Sequence, residues 1–372
     1  MNDNRKCRWG IMSTAQIANK NWQAIKLAGN AVVAAVASRS AEKAQSFIDT
    51  CQATVPFDDV PRAHGSYEAL LEDDGVDAVY IPLPTGMRKD LVIRSAQAGK
   101  HVMCEKPCAG SAEDLAAMIS ACKDNGVQFM DGVMYMHGNR LPEIRKALDN
   151  GEIGTIKRIA AQFSFCAGDD FRNSNIRTDS RMEPHGCLGD LGWYTLRFAI
   201  WVMGGEMPES VTARMLSSHR GAESPDAVPM EFAAELQFAN GVTASSYNSF
   251  ETAHQQWANI SGTEGQLHVS DFVLPYFNSD QESPSSRFRI TKSEFKEVGC
   301  DFAMHENSKT VSVAEHGNSH EHAQEVNLFR NFSAIVNSGQ LDDSWPDWAL
   351  KTQRVLDACW ASAKSDGQRV SL

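Results

Sequence analysis

Arg8-Trp9-Gly10-Ile11-Met12-Ser13-Thr14-Ala15-Gln16-Ile17-Ala18 opens the segment whose reading decides the fold. A short apolar run gives way to three small residues, and a helical stretch continues from Gln16 to about Ala28. A second apolar run, Ala31 to Ala37, ends at Ser38-Arg39-Ser40, where another helical stretch begins. Strand, small-residue turn, helix and strand make a βαβ unit.

The pattern repeats downstream. Residues 67–72 read as a short helix, 76–83 as a buried strand, 89–98 as a helix closed by Gly99, and 101–104 and 127–130 as strands. Ser111, with Asp114 three residues on, marks a further helix start. Apolar strands alternating with helices indicate a parallel sheet covered on both faces. After about residue 131 the texture changes. A helix at 141–148, a long strand at 155–165, a loop of mixed charge at 168–184 and a helix from Leu188 to Gly204-Gly205 follow. Alternation takes over in Val211, Ala213 and Met215, then in Phe232, Ala234, Leu236 and Phe238. Asn240-Gly241 supplies a hairpin turn, and Phe288 and Ile290 suggest one more strand. Helices at about 321–336 and 348–364 end the chain. The expected class is α/β + α+β, with a parallel sheet in residues 1–130 and a mostly antiparallel, open-faced sheet in 131–372. The last helix is expected to pack back on the first domain.

The chain has 372 residues, 42% hydrophobic and 22% charged, which suits about two globular domains. A net charge of -12 argues against nucleic acid as a partner. No apolar run spans a bilayer and the polar start lacks a secretory signal, so a cytoplasmic enzyme is expected. Nine cysteines without framework spacing read as reduced thiols.

Ligands of parallel sheets bind beyond the carboxyl ends of strands. There the glycine fingerprint of a dinucleotide loop is replaced by Ser13-x-Ala15-x-x-Ala18. Ser13, Thr14, Ala15, Gln16 and Ile17 are small or amide-presenting enough to receive a pyrophosphate, though an ordinary βα turn has the same composition. Ser38, Arg39, Ser40 and Lys43 offer cations and hydroxyls where an NAD site places a carboxylate, which favours NADP while leaving NAD open. Leu83, Pro84, Thr85, Arg88, Glu105 and Lys106 fall at later strand ends and complete the expected cofactor set. Hydride removal from a carbinol also requires a proton acceptor. Lys106, fixed by Pro107, is one candidate, with a surface turn as the plain alternative. Asp190 and Tyr194, four residues apart among Gly186, Gly189 and Gly192, are another pair, with a satisfied core tyrosine as theirs. A nearby cation such as Lys106 favours phenolate. Arg172, Arg177 and Asp179, with Arg140 and His185, are candidate substrate contacts. Cys104 with Cys108, and His316 with His320 and His322, make no complete metal set.

These marks together resemble the glucose–fructose oxidoreductase and inositol dehydrogenase (Gfo/Idh/MocA) family. They are Trp9 to Ala15, the strand Val76 to Pro84, Glu105-Lys106-Pro107, Gly189 to Tyr194 and the 322–332 region. The resemblance is greatest to the dihydrodiol dehydrogenase and D-xylose dehydrogenase branch. It implies a Rossmann-like first domain, Tyr194 as acid/base with Lys106 in support, NADP use, and dimers or larger oligomers built on the second sheet. The implied reaction is NADP-linked oxidation of a sugar or trans-cyclic diol. Cofactor-recycling glycoside cleavage or epimerisation, and cofactor sensing without turnover, are the alternatives. Gly86 and Arg88 stand where relatives commonly carry asparagine and histidine.

Overall fold

The computed structural model describes residues 5–276, 285–299, 301–317 and 320–372. They form two compact units. The first takes residues 1–137, 181–184 and 316–353, and the second takes 138–180, 185–315 and 354–372.

The first unit alternates β1 (Cys7–Met12), α1 (Gln16–Ala28), β2 (Ala31–Ala37), α2 (Ala41–Thr54), β3 (Arg62–His64), α3 (Tyr67–Leu71), β4 (Ala78–Ile81), α4 (Arg88–Gln97), β5 (His101–Cys104), α5 (Ala112–Asp124) and β6 (Phe129–Asp131). Its six strands are ordered β3-β2-β1-β4-β5-β6, and every pairing is parallel. β1 is central, and Trp9, Ile11 and Met12 are fully buried. Close approach at Gly10 explains its lack of a side chain, since a Cβ there would lie 3.0 Å from Leu70 and Val76. Ser40, Ser66 and Ser111 cap α2, α3 and α5 by accepting the amide protons of Lys43, Ala69 and Asp114.

In the second unit lie α6 (Arg140–Asp149), β7 (Ile156–Ser164), α7 (Asp169–Ser174), α8 (Gly186–Asp190), α9 (Gly192–Val202), β8 (Ser210–His219), β9 (Val228–Gln237), β10 (Thr243–Ser249), β11 (Gln255–Gly262), β12 (Gln266–Val269), β13 (Ser285–Val298) and β14 (Asp301–Ala314). The chain closes with α10 (Gln324–Ser338) in the first unit, α11 (Ser344–Lys364), within which the division of units falls, and β15 (Val370–Ser371) in the second. The second sheet is ordered β14-β13-β12-β11-β7-β10-β9-β8-β15, antiparallel except for the β7–β10 pair. Along β9, Met230, Phe232, Ala234 and Leu236 are buried, while Glu231, Ala233 and Glu235 occupy the opposite, partly exposed face. Asn240-Gly241 forms the expected turn, with Gly241 at φ 78°. Two expectations change. The 168–184 loop contains α7 and a short 3-10 turn, Ile176–Thr178. The strand expected near Phe288 is one arm of a hairpin with two 14-residue strands.

α10 covers β1 through aromatic packing. Trp9 meets Phe329 edge-on and Phe332 at a tilt, both with ring centroids 5.0 Å away, and its indole N–H donates to Ser333 Oγ at 3.0 Å. Both partners are fully buried. Ser333→Ala leaves that indole N–H without an acceptor. The expected loss is about 1–3 kcal/mol, read as a lower urea midpoint at unchanged slope.

Candidate functional site

In the first unit the strand ends expected to hold a cofactor lie along one edge, because β1, β2, β4 and β5 all run the same way. The β1–α1 turn passes through Ser13 at φ 118°, a conformation that costs a non-glycine residue about 1–3 kcal/mol. Ser13 Oγ accepts the Ala15 amide proton at 3.0 Å, which compensates in part. Unlike α2, α3 and α5, α1 starts without a side-chain cap and has no acidic residue in its first turn. Gln16 and Ile17 are exposed there. An uncapped helix start carries partial positive charge and free N–H groups, the chemistry that receives a phosphate.

At the end of β2, Ser38 is buried and Arg39 and Lys43 are exposed. Glu42 is the acidic residue in the first turn of α2. Tyr67, which the sequence reading overlooked, lies near enough for the Arg39 cation to oppose the upward push that burial gives its phenol.

The ends of β4 and β5 are tied together. Arg88 is 4% exposed. Its Nε donates to Leu83 O at 2.6 Å, and its Nη1 donates to Glu105 O at 2.6 Å and to Pro107 O. Expected as a cofactor contact, Arg88 is committed to these internal carbonyls instead. Thr85, also buried, donates from Oγ1 to Glu183 Oε2 at 2.5 Å, and its amide donates to Glu183 Oε1 at 3.2 Å. Glu183 belongs to the returning segment 181–184. A Cβ at Gly86 would lie 2.0 Å from Arg181 O, so only glycine admits that segment. Glu105 accepts the Tyr80 phenol proton on Oε1 at 2.6 Å, and Tyr80 accepts from Asn21 Nδ2 at 2.5 Å. Burial and the adjacent Glu105 carboxylate push the Tyr80 phenol well above its ordinary range. Lys106 itself is half-buried at this edge.

In the second unit Asp190 ends α8 and Tyr194 lies in α9, with Leu191 between the two helices. The expected single helical face is therefore two short helices with a break. Asp190 accepts from Arg177 Nε at 2.7 Å, which joins two of the predicted residues. Tyr194 is 6% exposed and meets Phe163 edge-on, with centroids 5.5 Å apart. Arg172 forms an ion pair with Glu251 at 2.8 Å. Arg140, expected as a substrate contact, is instead buried in an ion pair with Asp271 at 2.7 Å, and its amide donates to Glu315.

Residues 7–133 match the family described as oxidoreductases with an NAD-binding Rossmann fold, and residues 142–268 match the Gfo/Idh/MocA C-terminal domain. A D-xylose 1-dehydrogenase (NADP(+)) of Haloferax volcanii is 34% identical over 89% of this chain and 97% of its own length. The chain belongs to the Gfo/Idh/MocA family. It is accordingly an NAD(P)-dependent oxidoreductase. A trans-1,2-dihydrobenzene-1,2-diol dehydrogenase of Xenopus laevis is another relative, 30% identical over 72% of this chain and 76% of its own. A crystal structure of a 3-ketoreductase from Actinomadura kijaniata, in complex with NADP and TDP-benzene, superposes with a TM-score of 0.79 at 25% identity, covering 96% of this chain and 98% of that one. The aldose–aldose oxidoreductase of Caulobacter crescentus shares the fold, with a TM-score of 0.79 at 23% identity over 99% and 100% of the two chains. No described helix is long and apolar enough to cross a membrane, and no disulfide links the described cysteines.

His185, expected as a substrate contact, is a core histidine. It is 4% exposed, packs edge-on against Trp360 at 5.5 Å, and its Nδ1 has no hydrogen-bond partner. Burial, with a smaller effect of the Lys364 ammonium, lowers its pKa from 6.5 to about 4. The unfolded chain therefore binds this proton more readily, and stability falls as pH drops from 6.5 towards 4. Between pH 7 and 4.5 this residue accounts for about 2–3 kcal/mol. In His185→Phe the acid-dependent decrease in unfolding free energy is expected to shrink by that amount.

Proposed function

We propose that the protein catalyses reversible NADP-linked oxidation of a hydroxyl-bearing carbon in a sugar or trans-cyclic diol. The observation that carries this reading is the carboxyl edge of the parallel sheet. There the uncapped start of α1, with no acidic residue in its first turn, shares an edge with Lys106 and with an exposed Arg39.

The residues present fit a phosphorylated dinucleotide. Thr14, Gln16 and Ile17 present backbone N–H groups to a pyrophosphate, and Ser13 and Ala15, whose amides are engaged within the sheet and the turn, shape the loop around it. Arg39 and Lys43 outnumber the Glu42 carboxylate, and Ser38 and Ser40 flank Arg39, which suits a 2′-phosphate better than a pair of ribose hydroxyls. When bound, the nicotinamide supplies or accepts the hydride. Tyr194 takes the hydroxyl proton in oxidation and returns it in reduction, and Lys106 supports it as a cation. Asp190, held by Arg177, orients a substrate hydroxyl, and Arg172 serves the same substrate. The names of the xylose and dihydrodiol dehydrogenase relatives support a vicinal hydroxyl pattern in the substrate.

The outward face of the second sheet supports self-association. Ala160, Ala233 and Ser245 line a shallow groove with Leu216, Tyr247 and Trp257. We assign this face to a second copy of the chain.

A screen of aldoses and cyclic diols by NADPH absorbance tests the reaction. Tyr194→Phe is expected to lower kcat by about 10²–10⁴-fold with NADP affinity retained, and full activity in that variant would remove Tyr194 from its role. Arg39→Ala is expected to weaken NADP about tenfold or more and NAD about twofold or less, so equal losses refute the selectivity. Ala233→Arg is expected to convert an oligomer to a monomer by light scattering, whereas a wild-type monomer refutes the assembly.

A further inference from the structure

Lys106 sits between two carbonyls that a single buried cation holds. Arg88 Nη1 donates to Glu105 O on one side and to Pro107 O on the other, while Nε reaches back to Leu83 O. These three oxygens lie beyond the ends of β4 and β5, where the sheet ladder supplies no further donors. Thr85 does not replace this service. Its hydroxyl carries one proton, and the 2.5 Å contact with the Glu183 carboxylate outcompetes the 3.1 Å contact with Pro107 O. The same hydroxyl accepts from Arg88 Nη1 at 3.3 Å. Every described hydrogen bond from the guanidinium thus goes to a carbonyl or a hydroxyl of the protein, and Arg88 is 4% exposed. A residue so placed neither meets bulk solvent nor pairs directly with a carboxylate.

We propose that Arg88 is a positioning residue for Lys106, fixing the backbone on both of its flanks so that the ammonium is delivered to one place. This rests on the role given to Lys106 above. Fork geometry explains why arginine serves here. Donors on different guanidinium nitrogens serve two strand ends at once, whereas a lysine offers one point and a histidine one N–H in a given direction. Displacement of a reacting group by about 1 Å costs up to about 100-fold in rate, so a loosened Lys106 backbone registers in turnover before it registers in binding.

The experiment is a double-mutant cycle on the full-length protein, reading kcat on the best polyol and NADP affinity by protein fluorescence. Arg88→Met is expected to lower kcat by about 10–100-fold while changing the NADP dissociation constant by less than about threefold. Combined with Lys106→Met, it is expected to add nothing beyond the Lys106→Met loss, because a residue acting through Lys106 has no effect once that side chain is gone. Arg88→Lys keeps the charge but not the fork. It is expected to show the same non-additivity with a smaller loss, and it carries the test if the methionine variant does not fold. Additive losses, or kcat retained within about twofold in both Arg88 variants, overturn the assignment. Wild-type protein without turnover on any polyol overturns the functional reading, and this inference with it. Wild-type turnover with additive losses overturns Arg88 alone.

Discussion

Strand β1 is flanked on both sides by parallel neighbours, so its backbone is free only where it leaves the sheet, and Trp9, Ile11 and Met12 are buried on its faces. Beyond that edge, amides and carbonyls run out of ladder partners and must find others. Neighbouring strand ends meet this demand in three ways. The β1 turn leaves α1 uncapped and accepts a strained Ser13. The β2 turn caps α2 with Ser40. The β4 and β5 ends share the guanidinium of Arg88. The start of α1, with neither a side-chain cap nor an acidic residue, is thereby left open to an anion.

Buried arginines recur as internal ties. In the second unit Arg140 holds the Asp271 carboxylate and, through Nη2, the Asp271 carbonyl at 2.8 Å. Burial pushes the nearby Glu315 carboxyl up in pKa, partly opposed by the Arg140 amide hydrogen bond and charge. Removing one member of such a group leaves a charge in the interior, which costs more than the intact pair contributes. These ties explain how an acidic chain retains buried cations without offering them to a ligand.

Regular segments were legible because their patterns are local. Apolar runs at β1, β2, β4 and β5, Ser111 before Asp114, and Asn240-Gly241 each announce themselves within a few residues. Less was legible where a residue's partner is far away in sequence. Arg88 and Arg140 look like any cation in a loop or helix start, and only the fold shows the carbonyls and carboxylate that occupy them. Residues 181–184 carry no periodicity, yet Glu183 binds Thr85 across 98 positions. Asp190 and Tyr194 have helical spacing, but the break at Leu191 is not visible from composition. The β13–β14 hairpin was read as one strand because exposed polar residues dominate it beyond Ile290.

The aromatic sandwich over β1 has a consequence for biosynthesis. Trp9 and its acceptor Ser333 are 324 positions apart. At roughly 5–20 residues per second, a ribosome needs on the order of 15–60 seconds between making the first and making the second. Throughout that interval the nascent parallel sheet lacks α10, and the Trp9 face stays uncovered. The first unit to be begun therefore stays incomplete until its 316–353 segment has been made, and an early chaperone contact with that face would protect the chain while translation proceeds.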